Sequence, residues 1–223
     1  MTAAERIDEL LTRLVRERGV IPADFFTGEG PFGAVSVRTD SLLTVEGTEG
    51  SRARFALYER NGGEWEEVLE AEAFVGRNGI GTIKREGDAT TPVGVYRLLF
   101  DFGILENPGT GQGIEYRRIT PQSYYVDDEN SPWYNRWVES PPVPREEFAS
   151  AEHLIELTPH YHYGAVLSQN EACVPGAGSA IFLHCTGPNP YTMGCVAVSE
   201  ETMAAVLRRQ RPQTQILIVG GED

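Results

Sequence analysis

Between Phe182 and Glu201 the chain reads FLHCTGPNPYTMGCVAVSEE, with one His, two Cys and a Gly directly before the second thiol. These residue types can carry acyl-transfer chemistry. A free thiol has a pKa of about 8.5, and a neighbouring imidazole can draw it down to roughly 3.5–7.5. The runs AIFLHC and CVAVS read as strands joined by the loop TGPNPYTMG. Lying side by side, they put His184 and Cys195 at the same end of a sheet. There the imidazole takes the thiol proton, the thiolate attacks an acyl carbon, and the imidazolium donates to the leaving amine. Gly194 permits a tight turn before the nucleophile. The amides of Gly194 and Cys195 are candidate oxyanion donors, one such donor typically being worth about 10²–10³ in rate. On these residues alone, other readings stay open. A Cys before VAV also suits a small buried hydrophobe. A zinc site from His184, Cys185 and Cys195 is the weaker alternative, because no Cys-x-x-Cys or His-x₃₋₅-His pair is present. In HYH (160–162) two His fall on one face of an expected strand, with Tyr161 and Tyr163 around them, and read as packing or surface residues.

The elements that must position His184 and Cys195 are mostly strands. RARFALYERN (52–61) alternates apolar and polar residues, and NGG (61–63) punctuates a hairpin into EWEEVLEAEAFVG. AVSVRT (34–39), GVYRLLF (94–100), YHYGAVLSQN (161–170) and QILIVG (215–220) are further strands. Strands at this density predict a mainly β fold, a sandwich or a barrel, with few helices. One helix is expected after Ser199, an N-cap followed by Glu200 and Glu201. Its apolar face is Met203, Val206 and Leu207, Arg208 and Arg209 suit its last turn, and Pro212 bars continuation. Another spans 2–18, where Ile7, Leu10, Leu11 and Leu14 share a face, Thr2 and Glu5 have capping-box spacing, and Gly19 with Pro22 supplies the stop. It is expected to pack as an appendage, giving an N-terminal helical extension (1–30) and one catalytic-type domain (31–223). The long loops NPGTGQG (107–113) and DDENSPWYNRWVESPPVPREE (127–147) are candidate lids or binding walls. Trp133, Tyr134 and Trp137 in the second are candidate groove residues.

Composition narrows the partners. The 223 residues carry 33 acids against 19 bases, a formal net charge of −14 that disfavours a nucleic-acid partner. No apolar run approaches the roughly 20 residues of a membrane helix. VDDEN (126–130) lacks the spacing of a calcium loop. Three cysteines do not make a disulfide framework.

The segment SAIFLHCTGPNPYTMGCVAVSEETM resembles the active-site region of the L,D-transpeptidase (YkuD-type) family, in which a His ends a strand, a variable loop follows, and Ser/Thr-x-Gly-Cys closes the motif. Here these residues are His184 and Thr192-Met193-Gly194-Cys195. GRNGIGTIKREGDATTPVGVYRL (76–98), YVDDENSPWYNRWV (125–138) and NEACVPGAGSAIFLH (170–184) extend the resemblance, which covers roughly residues 33–221. It implies a β-rich domain whose Cys195 attacks peptidoglycan stem peptides with His184 as base. The bond attacked joins the L-centre of a diamino acid to a terminal D-Ala, and a side-chain amine of a second stem resolves the thioester. Water as acceptor would give an L,D-carboxypeptidase or endopeptidase, and an inactive peptidoglycan-binding module is the alternative of a different class. The resemblance implies no metal or organic cofactor. It also implies a protein acting in the cell envelope or outside the cell, with an export signal absent from this sequence; a monomer is expected. Three positions depart from the family pattern. Met193 stands where many members have a second His, Ala197 where many have Arg, and Cys185 where a small residue is common. Without that Arg, a substrate carboxylate would need Arg77, Lys84, Arg85, Arg117 or Arg118. Cys185 is expected to be a reduced packing thiol, with pairing to Cys173 as the alternative.

Overall fold

A computed structural model describes residues 1–18 and 37–221. Helix α1 (Ala3–Arg18) is followed by β1 (Ser41–Gly47), β2 (Arg52–Asn61), β3 (Glu64–Phe74), β4 (Ile80–Gly81), β5 (Thr91–Pro92) and β6 (Gly94–Gly103). Then come β7 (Tyr116–Arg118), β8 (Ser123–Val126), β9 (Arg136–Glu139), β10 (Ala151–His153), β11 (Gly164–Leu167), β12 (Phe182–Cys185), β13 (Val196–Val198), α2 (Glu200–Arg209) and β14 (Gln215–Val219). The main sheet runs β11-β12-β13-β3-β2-β1-β14-β6-β7, and β11 also pairs with β6. That pairing closes eight of its strands into a barrel, so the fold is mainly β, as the strand density predicts. Closure leaves β7 as an extra strand alongside β6.

The barrel interior takes Leu43, Phe55, Leu57, Leu183, Val196, Val198 and Ile218, all nearly inaccessible to water. Helix α2 adds Met203, Val206 and Leu207 to the same cluster. Its start is fixed as expected: the Ser199 side chain accepts from the Thr202 amide. Helix α1 covers part of the outside. Ile7, Leu10, Leu11 and Leu14 meet Leu42, Tyr58, Leu217 and Val219 on the opposite face of β1, β2 and β14. Burying each such aliphatic side chain is worth about 1.5–3 kcal/mol, which ties α1 to the barrel. The expected capping box is formed, with Thr2 N–H donating to Glu5 Oε2 at 2.7 Å and Glu5 N–H donating to Thr2 Oγ1 at 3.2 Å. Glu46, at the end of β1, accepts from Arg13 at 2.8 Å and also pairs with Arg6. The helix stop at Gly19–Pro22 and the 30/31 boundary lie outside the described residues, as does most of the strand expected over 34–39.

The segment read as a long loop over 127–147 contributes one strand, β9, to a second small sheet. β8 pairs with β9 and β10, register Tyr125↔Trp137 and Glu152↔Tyr125. Tyr125 and Trp137 turn toward Phe102, Tyr161 and Phe182 of the barrel side, where the rings meet mostly edge to face. This aromatic layer fastens the small sheet over the outer face of β12, next to His184.

Candidate active site

Alternation along β12 and β13 decides which side chains can meet. Leu183, Cys185, Val196 and Val198 point into the barrel. Their neighbours Phe182, His184, Cys195 and Ala197 take the other face, under the small sheet. β12 and β13 run parallel with His184 opposite Ala197, so Cys195 stands at the entry of β13 beside the strand that bears the imidazole. His184 and Cys195 line one pocket of about 210 Å³, together with Glu152, His160, Tyr161, Tyr191, Thr192 and Met193. The sequence expectation that His184 and Cys195 face one loop mouth agrees with this arrangement.

The turn before Cys195 is fixed from two sides. Thr192 N–H donates to Val75 O and Arg77 N–H donates to Thr192 O, both at 2.9 Å, which staples the turn to the end of β3. Thr192 Oγ1 donates to the Cys195 carbonyl at 2.7 Å, and Thr91 Oγ1 donates to the same oxygen at 3.1 Å. Gly194 has φ +138°, and a Cβ there would stand 3.2 Å from Ile181 Cδ1 and from Thr90 O. A side chain at this position would be both strained and crowded. The Gly194 N–H donates to Thr192 Oγ1 at 3.1 Å, so this amide closes the turn and is not aimed at a substrate. Of the two candidate oxyanion amides, that of Gly194 is thus engaged within the turn. Met193 lies at the pocket rim, 58% exposed.

Both candidate groups are buried. Cys195 is 9% exposed; its Sγ–H donates to Ala180 O at 3.1 Å, and its Sγ accepts from Phe182 N–H at 3.3 Å. Burial first, then the Glu152 carboxylate, push this thiol up to about 12, against the Phe182 amide and Lys84, which favour thiolate. His184 is 5% exposed, and burial lowers its pKa to about 4. Its Nδ1 lies 2.7 Å from the Cys185 carbonyl. A carbonyl only accepts, so Nδ1 carries the proton and Nε2 keeps the lone pair a general base needs. Burial thus favours the neutral form of both groups, the thiol as SH and the imidazole as its uncharged tautomer.

The other candidates divide. Lys84 pairs with Asp88 and donates to Arg85 O at 2.9 Å, and its chain packs against Gly178 and reaches toward Gly194. It supports the turn from beneath. Arg77 is exposed, its guanidinium 5.9 Å from the Tyr191 ring centre at the pocket edge, and Arg85 is exposed. Trp133 and Trp137 line a separate pocket of about 310 Å³ with Arg117, Arg136 and Cys173, not the one that holds Cys195. Tyr134 is buried and donates to Glu86. Arg118 pairs with Glu106 on the surface. The three cysteines are free; Cys185 Sγ faces Tyr163 O at 3.5 Å inside the barrel. Among the described residues no His, Cys, Asp and Glu cluster could hold a metal ion.

The pocket also takes His160 and Tyr161, read from the sequence as packing or surface residues, and Glu152, which the sequence did not single out. His160 and His162 lie in a turn, not on the strand expected for them. His160 stands 5.9 Å from His184, ring centre to ring centre, and needs Gly187 beneath it, since a Cβ there would meet His160 Nε2 at 2.0 Å. His162 pairs with Glu200 at the start of α2. Glu152 and Tyr161 complete the wall, with the Tyr161 hydroxyl donating to Glu152 Oε2. HYH was the one available signal; nothing local marks Glu152.

Among solved structures, Bd1075 of Bdellovibrio bacteriovorus is similar at 16% identity and TM-score 0.43, over 81% of this chain and 48% of that one. Mycobacterium tuberculosis L,D-transpeptidase 1 is similar at 14% identity and TM-score 0.36, over 81% of this chain and 63% of that one. The chain thus spans about half to two thirds of the length of these two chains. No curated protein matches. The L,D-transpeptidase catalytic domain (YkuD) profile matches residues 48–218, most of the chain and all of the pocket described above, and the chain therefore belongs to the YkuD family of L,D-transpeptidase catalytic domains.

Proposed function

We propose that this protein is a cysteine-dependent L,D-transpeptidase acting on peptidoglycan stem peptides in the cell envelope. The observation that carries the reading is a buried thiol and an imidazole with a free Nε2 on one wall of one pocket, behind a turn that only glycine fits. Family membership supplies the substrate class. In the donor half-reaction, His184 Nε2 takes the Cys195 proton as Sγ bonds to the carbonyl carbon between the L-centre of the diamino acid and D-Ala. The tetrahedral intermediate collapses, the C–N bond breaks, and the imidazolium gives its proton to the departing D-Ala amine. In the acceptor half-reaction an amine of a second stem displaces Cys195 from the thioester. The Cys195 amide, with the Gly194 amide already engaged, is assigned the oxyanion. Thr192 and Thr91 hold the nucleophile's carbonyl in place for both steps.

The test is mass spectrometry of the intact protein after incubation with a stem tetrapeptide or a carbapenem. The expected result is one acyl adduct on Cys195 in wild type and none in Cys195→Ala. A folded wild-type protein that never acquires an adduct would overturn the reading.

A further inference from the structure

The pocket around Cys195 contains an acid that the donor half-reaction does not use. Glu152 lies at the centre of β10, held in register opposite Tyr125 of β8, and lines the same pocket as His184 and Cys195. The Tyr161 hydroxyl donates to Oε2. Tyr161 is 4% exposed, and its ring is set edge-on against Phe182 at 5.7 Å and His184 at 5.5 Å, so the direction of that hydroxyl is fixed. Oε1 receives no hydrogen bond from any described residue and is not sealed from solvent. No Lys or Arg lines the pocket. Lys84 is held by Asp88, and Arg77 sits over Tyr191 at the edge. Cys195 feels the Glu152 carboxylate as a repulsion that opposes its thiolate. For the donor half-reaction alone, an acid here is a handicap.

An acid beside a thioester suits the second half-reaction. An alkyl amine of the lysine type has a pKa near 10.4, so at neutral pH it arrives as an ammonium ion without a lone pair. It must be bound as a cation, then stripped of a proton before it can attack. An anchored carboxylate with one oxygen open to the pocket does both.

We propose that Glu152 is the acceptor-side catalytic residue: its Oε1 binds the ammonium of the incoming amine next to the Cys195 thioester and takes its proton. This rests on the acyl-transfer reading above. The balance is complete. The ammonium gives one proton to Glu152, the freed nitrogen bonds to the thioester carbon, and the C–S bond breaks. The nitrogen's second proton passes through His184 to the departing Sγ. Ammonium and thioester become amide, thiol and a protonated Glu152, which loses its proton to water. Burial, eased by the Tyr161 hydroxyl and reinforced by Asp127 and Glu86, raises the Glu152 pKa to about 7, which suits a group that gains and loses a proton near neutrality.

The experiment separates the half-reactions with Glu152→Gln. Acyl-enzyme is formed on wild type and variant with the donor tetrapeptide, and its decay is followed by intact mass at neutral pH. One acceptor is a lysine-containing stem peptide; the other is hydroxylamine, which is uncharged at neutral pH and needs no deprotonation. Acylation of the variant should be retained or faster, since a repulsion on the thiolate is gone. Decay with the lysine peptide should fall by about 10²-fold, a typical general-base contribution, with a raised KM, while decay with hydroxylamine changes by less than about threefold. Tyr161→Phe, which frees the carboxylate without removing it, should give a smaller loss of the same selectivity, and it serves if Glu152→Gln fails to fold. Equal losses with both acceptors, or no loss with either, would overturn the proposal. If wild type forms no acyl-enzyme, the acyl-transfer reading falls, and this proposal with it. If wild type forms one whose aminolysis ignores Glu152, only this proposal falls.

Discussion

Cys185 and Cys195 are both buried thiols, both pushed up to about 12 chiefly by desolvation, at the edges of adjacent parallel strands. They differ in the face they take. Cys185 points into the barrel among Leu183, Val198 and the side chains of α2, with only the Tyr163 carbonyl beside its sulfur. Cys195 points outward, where the Phe182 amide donates to its sulfur and a pocket brings it an imidazole and an acid. Burial and pKa therefore do not distinguish the proposed nucleophile from the packing thiol in this protein. What distinguishes them is the parity of the strand, which gives one sulfur a polar neighbourhood and the other an apolar one.

The sharpest break of that comparison is a pair of alanine substitutions. Cys195→Ala should lose acyl-enzyme formation by more than about 10³-fold with little change in melting temperature. Cys185→Ala should keep acylation within about twofold and lose about 1–2 kcal/mol of stability from the gap left in the barrel. Acylation by intact mass, and urea unfolding of both variants, check the two halves. If Cys185→Ala abolished acylation in a folded protein, the division by strand face would fail.

A second measurement asks how Cys195 rests. Burial pushes its thiol up to about 12 and lowers His184 to about 4, which favours the neutral form of each. Alkylation of Cys195 by iodoacetamide should be slower than that of a free thiol at pH 7 and should rise about tenfold per unit up to pH 9, following the thiolate fraction. Cys173, the less buried of the three cysteines, provides the internal reference. A Cys195 rate that is flat between pH 6 and 9 would mean that a thiolate–imidazolium pair is already formed.

Parity also explains how much could be read from the sequence. The β2–β3 hairpin was legible because its strands alternate and NGG turns between them. α2 was legible from Ser199 to Pro212, and so was the placement of His184 and Cys195 at one sheet end, though not the face they take. β1 was not. Its SLLTVEG is buried on both faces, by the barrel interior and by α1, so the alternation that marks a half-exposed strand is missing. Barrel against sandwich was undecidable for a different reason: closure is the β11–β6 pairing, a contact between distant segments that leaves no local pattern. The small sheet β8–β10 was hidden by its length, with strands of three or four residues among prolines. It brings Glu152 to the pocket from a segment with no motif of its own. The tryptophans of the same segment look like groove residues in sequence, yet Trp133, in a turn, and Trp137, on β9, line a different pocket.

The smallest expected effect tests the interior face, which also contains a titrating group. Asp101 on β6 stands opposite Ala165, a residue of the barrel interior, and is completely buried. Neither carboxyl oxygen accepts a hydrogen bond from a described residue, although the side chains of Thr110 and Gln210 lie close enough to ease its charge. Burial raises its pKa to about 7, well above the usual carboxylate value of about 3.9. A folded-state pKa raised above the unfolded one means that the folded state prefers the protonated acid. The stability this group contributes is full below about pH 4 and is lost as pH rises through about 7. Asp101→Asn keeps the shape and removes the titration. It should be more stable than wild type by about 1–3 kcal/mol at pH 8, with the gap shrinking toward pH 5. Acylation of Cys195 should be unaltered, because Asp101 lies on the face away from the pocket. Urea unfolding at pH 5, 6.5 and 8 reads the gap directly. A gap that stays constant across these three would show that the carboxyl is not protonated in the fold, and that this interior position, unlike the Cys185 site, tolerates a charge.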